Sequence, residues 1–265
     1  MNYSPILIVA GEPNSIFFEI FFKVISKNKV KSPIIIISSK KILSLQMKKL
    51  GFKKKINLLK PLNLSNQKLN NKMINLIDIE YNSKKAFEKI SIKSNQFIEN
   101  SFKLAFKIIR KNNIHKFING PISKKTFLDK KYLGITEYIS KKFSIKKTGM
   151  LIYNNNLSVC PVTTHLPLKL VSKKINKKTI SDKVTLINNF YKKNFNKKPK
   201  IAILGLNPHC ESILKYNEDE KIIKPCVKFL SKKYNVLGPY SADTIFLKDN
   251  RKKFDVIVGM YHDQV

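Results

Sequence analysis

Four short runs constrain this chain more than anything else in it: "ILIVAG" at 6–11, "PIIIISS" at 33–39, "KIAILG" at 200–205 and "FDVIVG" at 254–259. Each is apolar at consecutive positions and rich in β-branched residues. A strand with one wet face alternates apolar and polar residues. A strand buried on both faces does not. Amphipathic stretches lie between the runs, so the pattern predicts an α/β fold, parallel strands covered by helices on both sides.

The helices expected are "SIFFEIFFKVISKN" (15–28), "KKILSLQMKKLGF" (40–52), "SNQFIENSFKLAFKIIRKNNI" (94–114), "TISDKVTLINNFYKKNF" (179–195) and "EDEKIIKPCVKFLSKKY" (218–234). In the third, Ile98, Phe102, Ala105 and Ile109 share a stripe. In the fourth, Ile180, Val184, Ile187 and Tyr191 do. The acids of the fifth stand in its first turn, where the helix dipole favours them. Residues 60–82 are Asn-rich and read as a loop crossing toward an edge strand at "MINLIDI". "KFINGPIS" reads as a strand stopped by Asn-Gly-Pro, and "GMLIYNNNLSVCPVTTH" as two strands joined by an Asn-rich turn. A change of rhythm at "NGPISKKTF" divides the chain into domains 1–125 and 126–265.

Three of the four histidines share one context. His165 follows "VCPVTT", His209 follows "IAILGLNP" and His262 follows "FDVIVGMY". Each ends an apolar strand, and in open α/β sheets those ends converge on the ligand crevice. Three imidazoles with open positions suit a catalytic divalent metal, provided the fold gathers the loops. Thr163, Thr164, Asn207, Asp243 and Asp263 are polar neighbours able to orient such ligands or to cap turns. His115, after a helix, reads as a helix-end or surface residue. "GEPNS" opens a helix in the manner of a phosphate-binding turn but has a single glycine and no nucleotide signature.

The net charge is +35, from 52 basic and 17 acidic residues. The basic residues are almost all lysine, scattered along the chain; the arginines are Arg110 and Arg251. Bidentate reading of phosphate and guanine uses arginine, so the charge reads as dispersed solvation, not a nucleic-acid surface. It could still steer a small phosphorylated substrate. No apolar run is long enough to span a membrane. Cys160, Cys210 and Cys226 are far apart and form no CxxC, which points to a reducing, cytoplasmic setting.

Seven segments carry a family resemblance. "GEPNSIFFEI" is similar to GDPAGIGPEI, "NGPISKKTF" to TAPINK, "LGITEYIS" to GHTEFL, and "VTTHLPL" to TTHxPL. "LGLNPHCE" is similar to GLNPHAGE, "GPYSADTIF" to GPxPADTxF, and "VGMYHDQ" to AMYHDQG. In this order, from residue 11 to 264, they resemble the 4-hydroxythreonine-4-phosphate dehydrogenases of vitamin B6 biosynthesis. The resemblance implies two α/β/α domains with a cleft, as in isocitrate and isopropylmalate dehydrogenases, and a homodimer with its site at the interface. It implies a divalent metal (zinc, magnesium or cobalt) on His165, His209 and His262, with ligands drawn from both subunits. It further implies NAD or NADP as oxidant, and oxidation followed by decarboxylation. The family's substrate-binding His-Thr pair falls on Ile135 and Thr136, and isoleucine cannot hydrogen-bond. No general base or cofactor-binding residue is assigned. The family continues beyond YHDQ with substrate-binding Lys, Asn and Arg and a segment that holds the nicotinamide. The chain is therefore expected to be cut short and to turn over poorly alone.

Overall fold

The computed structural model describes residues 3–265 apart from Leu62, Lys130, Leu133 and Lys215. The chain divides into two compact units, Met1–Tyr138 and Ile139–Val265.

The first unit carries β1 (Ile6–Val9), α1 (Phe17–Lys27), β2 (Ile34–Ser38), α2 (Lys40–Lys49), β3 (Ile56–Leu58), β4 (Ile74–Asp78), α3 (Asn95–Asn112) and β5 (Lys116–Asn119). The strands form one parallel sheet in the order β3-β4-β2-β1-β5. Side chains alternate across the sheet, so Ile8, Ile36, Ile74 and Leu76 pack on Phe18, Phe21 and Phe22 of α1 and on Ile42 and Leu43 of α2. Leu7, Val9, Ile35 and Ile37 point the other way and are also fully buried. α3 lies against β1 and β2, with Ile98, Phe102 and Ala105 inaccessible to solvent. Burial on both faces explains why β1 and β2 are continuous apolar runs.

Residues 60–82 depart from expectation. β4 is an interior strand, and the edge is β3. The polar look of the region misleads because Asn75 is buried within β4, donating to the Ile34 and Asn70 carbonyls and accepting from Asn57 Nδ2 at 3.0 Å. A buried amide with all partners supplied costs little.

α4 (Ile135–Phe143) spans the division between the units. The second unit continues with β6 (Ser158–Thr163), α5 (Val171–Lys174), α6 (Lys177–Phe195), β7 (Ile201–Leu204) and α7 (Lys224–Ser231). β8 (Val236–Tyr240), α8 (Ala242–Ile245), α9 (Lys248–Arg251) and β9 (Val256–Tyr261) complete it. Its sheet is parallel, in the order β6-β9-β7-β8. One face packs on Ile180, Val184, Ile187 and Tyr191 of α6 and on Cys226 and Leu230 of α7. The other packs on Ile245 and Phe254. Both edge strands contain a proline, Pro161 in β6 and Pro239 in β8, positions that tolerate the missing N–H.

Of the two strands expected in 149–165, only β6 forms. The first arm is reduced to an antiparallel bridge between Ile152 and Val159. β8 was not legible in the sequence, since Gly-Pro within "VLGPY" reads as a turn. α6 begins with a capping box, in which Asn176 Oδ1 accepts from the Thr179 N–H at 3.0 Å and Thr179 Oγ1 from the Asn176 N–H at 3.1 Å. Asn176→Ala is expected to cost about 1 kcal/mol, read as a lower urea midpoint with unchanged slope.

Candidate metal-binding site

The sheet order places β6, β9 and β7 side by side in the second unit. These are the strands that His165, His262 and His209 follow, so the three predicted residues stand at the C-terminal ends of three neighbouring strands, His262 in the middle. All three are exposed. The rings of His165 and His262 have centroids 6.3 Å apart, tilted by 30°. Metal–nitrogen bonds of about 2.1 Å put two imidazoles on one ion at roughly 5–6.5 Å between ring centres. His209 Nδ1 lies 3.9 Å from Asp243 Oδ2. Among the described residues no three His, Cys, Asp or Glu side chains form a group able to hold a metal ion.

The backbone at two of these histidines is unusual. His165 has φ 54° and His209 has φ 55°, both left-handed, and Cys210 follows at 62°. Non-glycine residues in this region are uncommon, cost about 1 kcal/mol or more, and cluster where a side chain must be aimed. Both side chains are exposed.

What holds the His209 loop is one of the acids in the first turn of the fifth expected helix. Asp219 is fully buried and lies in a wide helical turn, Asp219–Ile223, leading into α7. It accepts from the Leu206 N–H at 2.8 Å, the Asn207 N–H at 3.0 Å and Asn207 Nδ2 at 2.8 Å. Gly205 makes room for it, because a Cβ there would stand 2.6 Å from Asp219 Oδ1 and 2.7 Å from Cys210 Sγ. The signal in the sequence was scarcity. A run of three acids is rare in so basic a chain, and dipole compensation accounted for them too easily.

The donor chemistry fits a divalent cation. His262 Nδ1 lies 3.2 Å from Asp263 Oδ1, and His209 has Asp243 beside the same ring nitrogen. With Nδ1 of His262 donating to Asp263, Nε2 of that ring would be left to bind a metal, a common second layer around metal imidazoles. The Ser241 hydroxyl holds the Asp243 carboxyl below its ordinary pKa, with His209 adding to the effect. Thiol ligation is disfavoured. Burial pushes Cys160 up to about 11 and raises Cys210 and Cys226, so all three stay protonated at neutral pH.

The other expected residues lie apart from this cluster in the sequence of elements. Ile135 and Thr136 open α4 and are half-buried. Thr164 follows β6, and Thr163 closes it with its hydroxyl donating to the Met260 carbonyl at 2.8 Å. His115 is exposed between α3 and β5. In the "GEPNS" turn, Glu12 is buried and accepts from Ser94 Oγ at 2.6 Å and the Asn14 N–H at 3.3 Å.

The chain is 35% identical over 263 residues to the 4-hydroxythreonine-4-phosphate dehydrogenase of Sulfurihydrogenibium sp., covering 97% of this chain and 80% of that protein. It is 30% identical over 172 residues to the D-threonate 4-phosphate dehydrogenase of Pectobacterium atrosepticum, covering 61% of this chain and 53% of that one. The crystal structure of a 4-hydroxythreonine-4-phosphate dehydrogenase from Burkholderia phymatum superposes with a TM-score of 0.82 at 25% identity, covering 99% of this chain and 81% of that chain. The profile described as pyridoxal phosphate biosynthetic protein PdxA matches residues 29–265, and the chain belongs to that family.

Proposed function

We propose that this chain is an NAD(P)-dependent dehydrogenase of 4-phosphooxy-threonine acting in vitamin B6 biosynthesis. In this reading the substrate's secondary alcohol is oxidised to a ketone, its hydride passing to the nicotinamide. The resulting β-keto acid loses carbon dioxide and leaves 3-amino-2-oxopropyl phosphate. The observation that carries the reading is the set of three histidines at adjacent strand ends, two with left-handed backbone, in a member of this family.

A divalent cation (zinc, magnesium or cobalt), when bound, supplies positive charge beside the alcohol oxygen in both steps, and NAD or NADP supplies the hydride acceptor. His165, His209 and His262 would hold the cation. Asp263 and Asp243 would fix two of those rings through Nδ1. Thr136 would contact the substrate, and the dispersed positive charge would draw in its phosphate. The homodimer implied by the resemblance would let one ion take imidazoles from two copies. The three free, buried thiols accord with a cytoplasmic location. Among the described residues no helix is long and apolar enough to cross a membrane.

Metal analysis of the purified chain and of its His165→Ala/His209→Ala/His262→Ala variant tests the reading. About one ion per chain is expected in the first and none in the second; equal contents would overturn it. Ile135, standing where the resemblance expects a histidine, favours one second reading, a dehydrogenase of D-threonate 4-phosphate. Nicotinamide reduction with the two phosphorylated substrates side by side separates them.

A further inference from the structure

We propose that Gln264 is a positioning residue that locks the His209 loop to the strand carrying His262. The proposal rests on the metal reading above. The chain turns back after β9 in a single helical turn, His262–Gln264. Gln264 Oε1 accepts from the Met260 N–H at 2.7 Å, inside β9. Its Nε2 donates to the Gly205 carbonyl at 3.0 Å, where β7 gives way to the loop bearing His209. One amide thus joins two strand ends through its two faces, a job that needs both an acceptor and a donor.

The same peptide segment reaches the third histidine. Thr163 donates to the Met260 carbonyl, so Met260 accepts from the strand that carries His165 while its N–H is held by Gln264. Met260 is fully buried, the bond from Thr163 is buried with it, and the bonds of Gln264 are half-buried. The turn can lie over β9 because residue 259 is glycine; a Cβ there would meet Val265 Cγ1 at 2.7 Å and Gln264 Cβ at 3.2 Å. The ends of β6, β9 and β7 within one copy are therefore tied together by two side chains, Thr163 and Gln264, that are not themselves ligands. Groups bonded directly to metal ligands typically govern affinity by about 10–100-fold, and this brace acts one bond further out, through the backbone beside the ligands.

The test uses Gln264→Ala and Gln264→Glu in the full chain. Glutamate keeps the acceptor for Met260 but sets an oxygen against the Gly205 carbonyl. Two readouts are taken on protein shown to be folded by circular dichroism: amide hydrogen exchange of residues 205–210, and the Kd for Co²⁺ followed by its visible absorption. Both variants should exchange faster at 205–210, a segment more than fifty positions away in sequence. Both should also bind Co²⁺ about tenfold or more weakly. Thr163→Val should weaken Co²⁺ binding while leaving 205–210 protected. Unchanged exchange at 205–210 in both glutamine variants would overturn the coupling. Faster exchange with an unchanged Kd would reduce Gln264 to a structural brace and also overturn the proposal. Absence of Co²⁺ binding by the wild type would overturn the metal reading and the positioning role together, with the exchange result still reporting the lock separately.

Discussion

Alanine at His262 should raise the Kd for zinc or cobalt at least about 100-fold and lower kcat/KM for the phosphorylated hydroxy acid about 1,000-fold, or about 4 kcal/mol of transition-state stabilisation. The size follows from where the residue sits. β9 lies between β6 and β7, so His262 is the one imidazole with a histidine-bearing strand on either side. Its ring already lies 6.3 Å from that of His165. His262 is exposed, and its removal leaves no cavity, so the melting temperature of the metal-free protein should stay near the wild type. Asp263→Asn, which removes charge from the Nδ1 partner, should give a smaller loss of about tenfold in metal affinity. Isothermal titration with the metal alone and steady-state kinetics check both. A His262→Ala chain with wild-type affinity would remove the centre of the proposed site.

The second large effect concerns stability. Asp219→Ala should destabilise the second unit by about 3–5 kcal/mol, seen as a lower denaturant midpoint. Three donors converge on this carboxylate, the Leu206 N–H and both Asn207 groups. The side chain is inaccessible to solvent, so water cannot take its place without opening the loop. Each orphaned donor costs about 1–3 kcal/mol when buried, and partial relaxation lowers the total. Asp219→Asn should cost less, because one oxygen remains to accept. Since the loop also carries His209, the alanine variant should lose metal affinity as well. A cost under about 1 kcal/mol would mean that the loop is held by something other than this acid.

Much of the architecture was legible because burial on both faces of a parallel sheet leaves a local mark. "ILIVAG", "PIIIISS" and "FDVIVG" could be nothing wet on one side, and they became β1, β2 and β9. The helical stripes were legible for the same reason; all four residues named on α6 are buried, and on α3 Ile98, Phe102 and Ala105 are while Ile109 is half-buried. What failed was polar content inside strands. Asn75 hid β4's interior position by satisfying its hydrogen bonds within the fold, and Gly238 and Pro239 hid β8. Strand order left no trace either, since it is set by crossovers between elements far apart in sequence. The three histidines could be placed at strand ends from the sequence alone. That their strands are neighbours, and that Asp219, Thr163 and Gln264 brace them, required the fold.

The position of β9 has a consequence for how this unit is made. β9 is an interior strand made long after β6, and Ser158 must wait for Val256 as a partner. Until then β6 lacks its pairing partner and β7 has only β8. Apolar strands with open edges are the species that associate wrongly. A nascent chain paused before residue 256 would therefore leave these edges open until the segment that also carries His262 arrives.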